Sequence, residues 1–374
     1  MRSIVFVVNI DWFFVSHRLP IAIALIKSGF KVHLVCRFTT YQAHLEDLGI
    51  CTHAFDISRG GMSLVSEFRS FYNLYRLVNG IKPDLVHLVT VKPVMYGSLV
   101  ARLLGIRKVV ASISGLGFVF IDNSIKAQVI RKIVIYCYRL GLSVKNVSVI
   151  FQNPSDLSLF LDHKIVSDSQ AFLIRGSGVD LDYFRLTTEP EESPVVMFLA
   201  RFLKDKGIVE FVEASSIVKA SFPSARFVVV GNIDSDNPNS ILPADLDRWV
   251  KLGLVEDWGY FSDVFSAIRQ SNLMVLPSYR EGLPKSLMES AACGRAVITT
   301  DVPGCRDAIV SGETGLLVYP RCSQMLADAI VQLLQDGQLR KKFGAAGRLH
   351  AESCFDVNSI VSQHLSIYLE SIDR

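Results

Sequence analysis

The chain has no cysteine pair in C-x-x-C spacing, and its seven cysteines (Cys36, Cys51, Cys137, Cys293, Cys305, Cys322 and Cys354) are scattered and odd in number. That excludes a finger-type zinc site and a disulfide framework, and leaves reduced thiols of a cytosolic protein as the expectation. No run of 18 or more uncharged apolar residues occurs, although half of the 374 residues are apolar. A transmembrane helix is therefore not expected. Charge is sparse at 20%, but an apolar content this high excludes disorder. Fixed-period repeats and low-complexity segments are also missing. The opening Met-Arg-Ser and Ile4–Val8 make only a short apolar run, which ends at Asn9 and Asp11 without a small-residue cleavage site. A first buried strand fits this segment better than a signal peptide.

What charge there is divides unevenly. Residues 1–185 hold 21 Lys/Arg against 12 Asp/Glu, a net +9, while the remainder is net −6. Between Asp84 and Asp156 the only acid is Asp122. A basic, apolar half points to an anionic surface, membrane or nucleic acid, or to two domains of different composition. No nucleic-acid-binding module is recognisable.

The length asks for two domains. Ile4–Asn9, Lys31–Cys36, Leu85–Val89, Val109–Ile113 and Val147–Phe151 read as buried strands separated by helical stretches. One such stretch is Leu19–Lys27, with Ser16 as N-cap and Gly29 as stop; another is Glu67–Asn79, with a stripe of Phe68, Phe71, Leu74, Tyr75 and Val78 closed by Gly80. Arg185–Pro194 is polar, acidic and flanked by proline, a linker signature. Alternation then restarts at Val195–Ala200, Val209–Ala220, Arg226–Gly231, Leu273–Pro277, Ala296–Thr299 and Gly315–Val318. The expected organisation is a first doubly wound domain over 1–184, a linker over 185–194, a second domain over 195–356, and a C-terminal helix over 357–374. Two such domains on a hinge imply a cleft with ligands at the carboxyl ends of strands.

The segment Ser278–Gly294 (SYREGLPKSLMESAACG) carries the most chemistry. A strand ends at Pro277, a loop presents Glu281 and Gly282, and a helix starts near Pro284 and stops before Gly294. Its first turn, with Lys285 and Ser286, offers free backbone N–H groups to an anion. Glu289 can accept from two vicinal hydroxyls, as on a ribose, and Glu281 can reach a second set of hydroxyls.

This segment resembles the donor-binding segment of the family 4 glycosyltransferases, whose hallmark is two glutamates separated by seven residues, here Glu281 and Glu289. The resemblance extends to Ala200-Arg201-Phe-Leu-Lys204-Asp-Lys206-Gly207, where the family's arginine and lysine hold the donor diphosphate. Gly176–Phe184 is similar to the family's interdomain crossing. Val229-Val-Gly231 and Gly259 match loops flanking the base, and Asp301–Gly304 and Gly312–Gly315 match late structural turns. The resemblance implies a GT-B fold of two Rossmann-like domains whose C-terminal helix crosses back to the first, with Glu281, Arg201 and Lys206 catalytic and with Glu289, Gly282, Leu283, Pro284, Lys285, Gly231 and Gly259 binding the donor. It further implies retention of anomeric configuration and a metal-free reaction with no cofactor beyond the UDP-sugar. The D-x-D triplets at Asp180, Asp234 and Asp245 are discounted as metal motifs. The histidine that many relatives carry in a first-domain loop is missing from Ser112-Ile-Ser114-Gly115-Leu-Gly117.

Asn9–Pro20 (NIDWFFVSHRLP) resembles bacterial enzymes that extend glycans on undecaprenyl diphosphate. This places Asp11, His17, Arg18, Ser114 and Gly115 on the acceptor side. Trp12, Phe13 and Phe14, read as a loop, must either pack or meet lipid. Ser124–Asn146 mixes aliphatics with Lys126, Arg131, Lys132, Arg139 and Lys145 and has no acid; it is either an interfacial helix or a buried one with snorkelling ends. The implied partners are a UDP-sugar, a polyprenyl-diphosphate-linked saccharide and the anionic inner face of a bacterial cytoplasmic membrane. The implied reaction is transfer of an N-acetylhexosamine in capsule, lipopolysaccharide or glycoprotein glycan assembly. The rivals are a UDP-sugar epimerase of similar shape and a non-catalytic two-lobed sugar-nucleotide-binding protein.

Overall fold

The structure is a computed structural model that describes residues 2–56, 64–106, 108–116, 120, 124–143 and 147–373, with the side chains of 64, 66, 126 and 371–373 outside the description. The chain forms two units, one of Met1–Ser177 with Val357–Arg374, the other of Gly178–Asp356. The boundary thus falls at Ser177/Gly178, and residues 178–184, assigned above to the first domain, lie in the second unit.

In the first unit the strands are β1 (Ser3–Ile10), β2 (Lys31–Arg37), β3 (Cys51–Ala54), β4 (Leu85–Val89), β5 (Val109–Ile113), β6 (Val147–Phe151) and β7 (Ala171–Leu173). They pair in the order β3-β2-β1-β4-β5-β6-β7, and every pairing is parallel. Strand β1 shows why. Ile4, Phe6 and Val8 feed one core and Val5 and Val7 another, on opposite faces of the sheet. A strand buried on both faces needs an unbroken apolar run, and parallel pairing supplies helices for both faces. The order reverses between β1 and β4, the switch point at which doubly wound sheets open a crevice.

The second unit repeats the scheme with β8 (Val195–Leu199), β9 (Arg226–Val230), β10 (Glu256–Gly259), β11 (Leu273–Leu276), β12 (Ala296–Thr300) and β13 (Gly315–Val318), in the order β10-β9-β8-β11-β12-β13. Its pairings are also all parallel, and its switch point lies beside β8.

Helices differ from expectation in two places, and the C-terminal helix falls where it was expected. Asp11–His17 is helical rather than a loop, so Ser16 lies inside a helix and Arg18 occupies the N-cap of Leu19–Lys27. The helix expected to close at Gly80 runs Leu64–Ile81, and it buries Leu74 and Val78 while Phe68 stays 72% exposed. The C-terminal helix Val357–Asp373 belongs to the first unit, where Ile360 and Tyr368 join the core around β1.

Candidate active site

Every proposed donor-side residue of the second unit leaves the sheet at its carboxyl edge. Arg201 follows β8, Gly231 follows β9, Gly259 ends β10, and Glu281 lies beyond β11. Gly207, at φ +76, lets the chain turn into the helix Ile208–Ser221 while touching the end of β11; a Cβ there would lie 2.1 Å from the Pro277 carbonyl oxygen. That contact brings the Lys206 turn against the Glu281 loop. Lys206 Nζ pairs with Glu281 Oε1, and the Ser278 hydroxyl lies 2.6 Å from the same oxygen. The Tyr279 backbone N–H donates to the Asp205 carbonyl at 2.9 Å, locking the two turns together.

From the other side, the Glu281 N–H donates to the Pro303 carbonyl at 3.0 Å. Gly304, at φ +81, packs so closely that a Cβ would lie 2.3 Å from the Glu281 carbonyl oxygen. The turn Asp301–Gly304 therefore supports the Glu281 loop directly. Asp205, between Arg201 and Lys206, is pushed upward in pKa by burial first; Lys206 and Arg201 oppose this and Glu281 adds to it.

Arg201 Nη1 donates to Asp234 Oδ2 at 2.7 Å, so this aspartate of the discounted D-x-D triplet orients an arginine. Pro284 is the N-cap of the helix Lys285–Ala292, and Leu283 is buried beneath it. Glu289 is buried one turn in, 3.2 Å from Lys285 Nζ. Burial raises its pKa, and Lys285 holds it part of the way back. Gly231 donates its N–H to the Gly259 carbonyl at 2.9 Å, and a Cβ on it would lie 2.0 Å from the Ala200 carbonyl oxygen. Among the described residues no group of three or more His, Cys, Asp or Glu is placed to hold a metal ion.

In the first unit the expectations need more correction. Asp11 is fully buried rather than facing a ligand. Its carboxylate accepts the N–H groups of Thr39, Thr40 and Tyr41 at 2.7–3.0 Å and the Thr39 hydroxyl at 2.7 Å. Burial pushes its pKa up, and these donors more than offset that, leaving it lowered. Asp11 thus anchors the loop after β2.

Phe14 is also fully buried, edge-on to Phe6 at 5.5 Å, and cannot meet lipid. Trp12 and Phe13 are half-buried, and Phe13 stacks on His17 at 4.1 Å between ring centroids. Three aromatics in a helix pack where three in a loop would not.

Arg18 is 1% exposed and donates to the Ser114 hydroxyl at 3.3 Å and to the His17 carbonyl at 3.0 Å. Burial lowers its pKa to about 10. Gly115 follows at φ +107. Gly117 lies outside the described residues, as does the side chain of Lys126. Arg131 lies over the Phe120 ring, 5.5 Å from its centroid.

Sequence reasoning missed a buried polar group in this unit. His87 on β4 lies 2.7 Å from the Ser112 hydroxyl and 2.7 Å from the Tyr368 hydroxyl of the C-terminal helix, and His364 is buried nearby. No local motif announces it, because its members are 281 residues apart. The role of Ser278 was closer to legible, three residues before Glu281.

The model of the glycosyl transferase 4-like family matches residues 3–153, and that of glycosyl transferases group 1 matches residues 181–350. An N,N'-diacetylbacillosaminyl-diphospho-undecaprenol alpha-1,3-N-acetylgalactosaminyltransferase of Campylobacter jejuni is 28% identical over 364 residues, 94% of both chains. A UDP-Gal:alpha-D-GlcNAc-diphosphoundecaprenol alpha-1,3-galactosyltransferase of Escherichia coli is 23% identical, over 82% of this chain and 81% of its own. Among solved structures, a glycosyltransferase of Rickettsia africae superposes with a TM-score of 0.75 at 20% identity, covering 99% of this chain and 98% of its own. An Anabaena protein in complex with UDP and glucose gives 0.74 at 17%, over 98% and 99%. The epimerase and binding-protein readings find no support here. Two parallel sheets with their polar residues gathered at the switch points, matched in turn by a first-domain and a second-domain family model, make the chain a member of the GT-B glycosyltransferases and a hexosyltransferase.

Proposed function

We propose that the protein is a retaining transferase that moves an N-acetylhexosamine from a UDP-sugar to a polyprenyl-diphosphate-linked saccharide, in surface polysaccharide or glycoprotein glycan assembly. The observation that carries the reading is the Lys206–Glu281–Ser278 group at the carboxyl edge of the second sheet. The relatives named above, which act on diphospho-undecaprenol saccharides, favour the acceptor class.

In this scheme the bond from the anomeric carbon to the diphosphate oxygen breaks, and the acceptor hydroxyl attacks from the same face. Its proton passes to the departing diphosphate. Negative charge grows on that leaving group, and Lys206, Arg201 and the N–H groups after Pro284 oppose it without a metal. Glu281 orients both Lys206 and the sugar, and Glu289 accepts from the ribose hydroxyls. Ser114 and Gly115, with Arg18 beneath them, lie on the acceptor side.

The reading includes peripheral binding to the anionic inner face of the cytoplasmic membrane. Support comes from the helices Leu64–Ile81 and Ile125–Leu142, which expose Val65, Phe68 and Tyr72, and Ile125, Val129, Ile133 and Tyr136. Arg69, Arg76 and Lys132 are exposed among them, with no exposed acid on either helix. No helix among the described residues is long and apolar enough to cross a membrane.

The test is a panel of labelled UDP-sugars against polyprenyl-diphosphate acceptors carrying different first sugars. Transfer of an N-acetylhexosamine that survives EDTA is expected. Each charge-assisted hydrogen bond is worth roughly 1.5–3 kcal/mol, so Lys206→Ala and Glu281→Ala should each lower kcat about 10- to 100-fold while leaving the circular dichroism spectrum unchanged. Inversion at the anomeric carbon, a strict metal requirement, or normal turnover by either variant would overturn the assignment.

A further inference from the structure

The first unit's switch point carries polar groups that nothing above uses. Asn9, next to last in β1, and Thr90, just past β4, each lie two residues beyond the paired Val7 and Leu88, at the same level of the carboxyl edge. Both side-chain oxygens, Asn9 Oδ1 and Thr90 Oγ1, are shielded from solvent and have no hydrogen-bond partner. Arg18, whose other nitrogens reach the carbonyl of His17 and the hydroxyl of Ser114, likewise has an unpartnered, shielded Nε. A buried polar atom without a partner carries a desolvation cost, and three at one end of a sheet call for a ligand or ordered water.

Thr90 adds an independent sign. Its backbone sits at φ 75, ψ 166, a region that a β-branched residue enters only under constraint. Threonine at a helix N-cap ordinarily spends its hydroxyl on a free N–H of the first turn. Thr90 is the N-cap of Val91–Leu103 and makes no such bond. Glycine would fit this backbone without strain, yet a hydroxyl-bearing side chain is held there without capping the helix.

We infer that Asn9 and Thr90 form a recognition subsite for the acceptor saccharide, at the switch point where β1 and β4 part. The chemistry is that of a neutral sugar. Asn9 Oδ1 accepts from a hydroxyl or an acetamido N–H, Thr90 Oγ1 both donates and accepts, and Arg18 Nε–H donates to a ring-substituent oxygen. The two are specificity-determining residues for transfer and take no part in bond making. This subsite deepens the reading of the preceding section and rests on it, because it needs the first unit to hold the acceptor.

The experiment measures initial rates of transfer to a polyprenyl-diphosphate saccharide, alongside the slow hydrolysis of UDP-sugar without acceptor, for wild type, Asn9→Ala, Thr90→Gly and Thr90→Ser. Loss of one sugar hydrogen bond is expected to raise the acceptor KM about tenfold in Asn9→Ala and Thr90→Gly. Donor KM and acceptor-free hydrolysis should stay at wild-type values, and Thr90→Ser should restore the acceptor KM. Thr90→Gly should melt no lower than wild type, because it relieves strain, so its defect cannot be put down to misfolding. Unchanged acceptor KM in both Asn9→Ala and Thr90→Gly would overturn the subsite while leaving the proposed reaction standing. Wild-type hydrolysis with no transfer to any lipid-linked acceptor would overturn the proposed reaction and the subsite with it.

Discussion

Glu281 is held in place by backbone as much as by side chains. Its loop is fastened on one side by Asp205 and Gly207 and on the other by Pro303 and Gly304. Adding a single methyl group tests this. At Gly304 a Cβ would meet two carbonyl oxygens, of Glu281 at 2.3 Å and Gly282 at 2.6 Å, from a left-handed backbone. Gly304→Ala should therefore displace Glu281, cost roughly 1–3 kcal/mol of stability, and lower kcat more than it raises the donor KM. Thermal melting and steady-state rates read both effects. A fully active, equally stable Gly304→Ala would mean that the loop is not braced there.

The glutamate spacing was legible in the sequence because both residues lie in one local segment. Asp11 was misread for the opposite reason. A carboxylate after a strand looks the same in sequence whether it faces a ligand or the amides of a loop 28 residues on.

The misread elements share a cause. The strands that escaped sequence reading, β3, β7 and β10, all lie at sheet edges. They are three or four residues long and largely half-buried, so they carry too little apolar sequence to stand out. The central strands are buried on both faces and read clearly.

The C-terminal helix shows what packing adds. It brings His364 and Tyr368 beside His87, and burial, followed by the positive charge of Arg18, drives both histidines well below their ordinary pKa; His364 also lowers His87. A neutral buried histidine protonates more readily when the chain unfolds. Stability from each is therefore complete above the unfolded value near 6.5 and falls as pH drops below it, by about 1.4 kcal/mol per pH unit per histidine. Denaturant midpoints followed by circular dichroism from pH 7.5 to 5 should show this slope, and His364→Leu should reduce it but not abolish it, because burial lowers His33 and His53 as well as His87. A flat profile in wild type would refute the buried neutral state.

Across the whole molecule the charge division survives the corrected boundary. The first unit, C-terminal helix included, keeps 21 Lys/Arg against 12 Asp/Glu, again +9, and the second keeps −6. The apolar complement to that charge lies on the helices Leu64–Ile81 and Ile125–Leu142 rather than on Trp12–Phe14. Phe68→Ser combined with Ile133→Ser should weaken co-sedimentation with vesicles rich in anionic lipid about tenfold or more, since each side chain contributes roughly 1.5–3 kcal/mol on burial. Salt should weaken wild-type binding further. Trp12→Ser should change partitioning little. Equal partitioning of the double variant would refute these helices as a membrane-binding surface.

The sequence by itself determined the two parallel α/β domains, the strand-loop-helix segment that carries Glu281 and Glu289, and the sign of each half, because buried strands, helix starts and a two-glutamate segment are local patterns. Only the tertiary structure decided which of Asp11, Phe14 and Phe68 is buried. It also decided that Arg201 is held by Asp234, that Gly304 braces Glu281, and that His87 meets Tyr368. Those outcomes depend on contacts between residues tens to hundreds of positions apart, and the burial of a side chain is fixed by what packs against it, not by its neighbours in the chain.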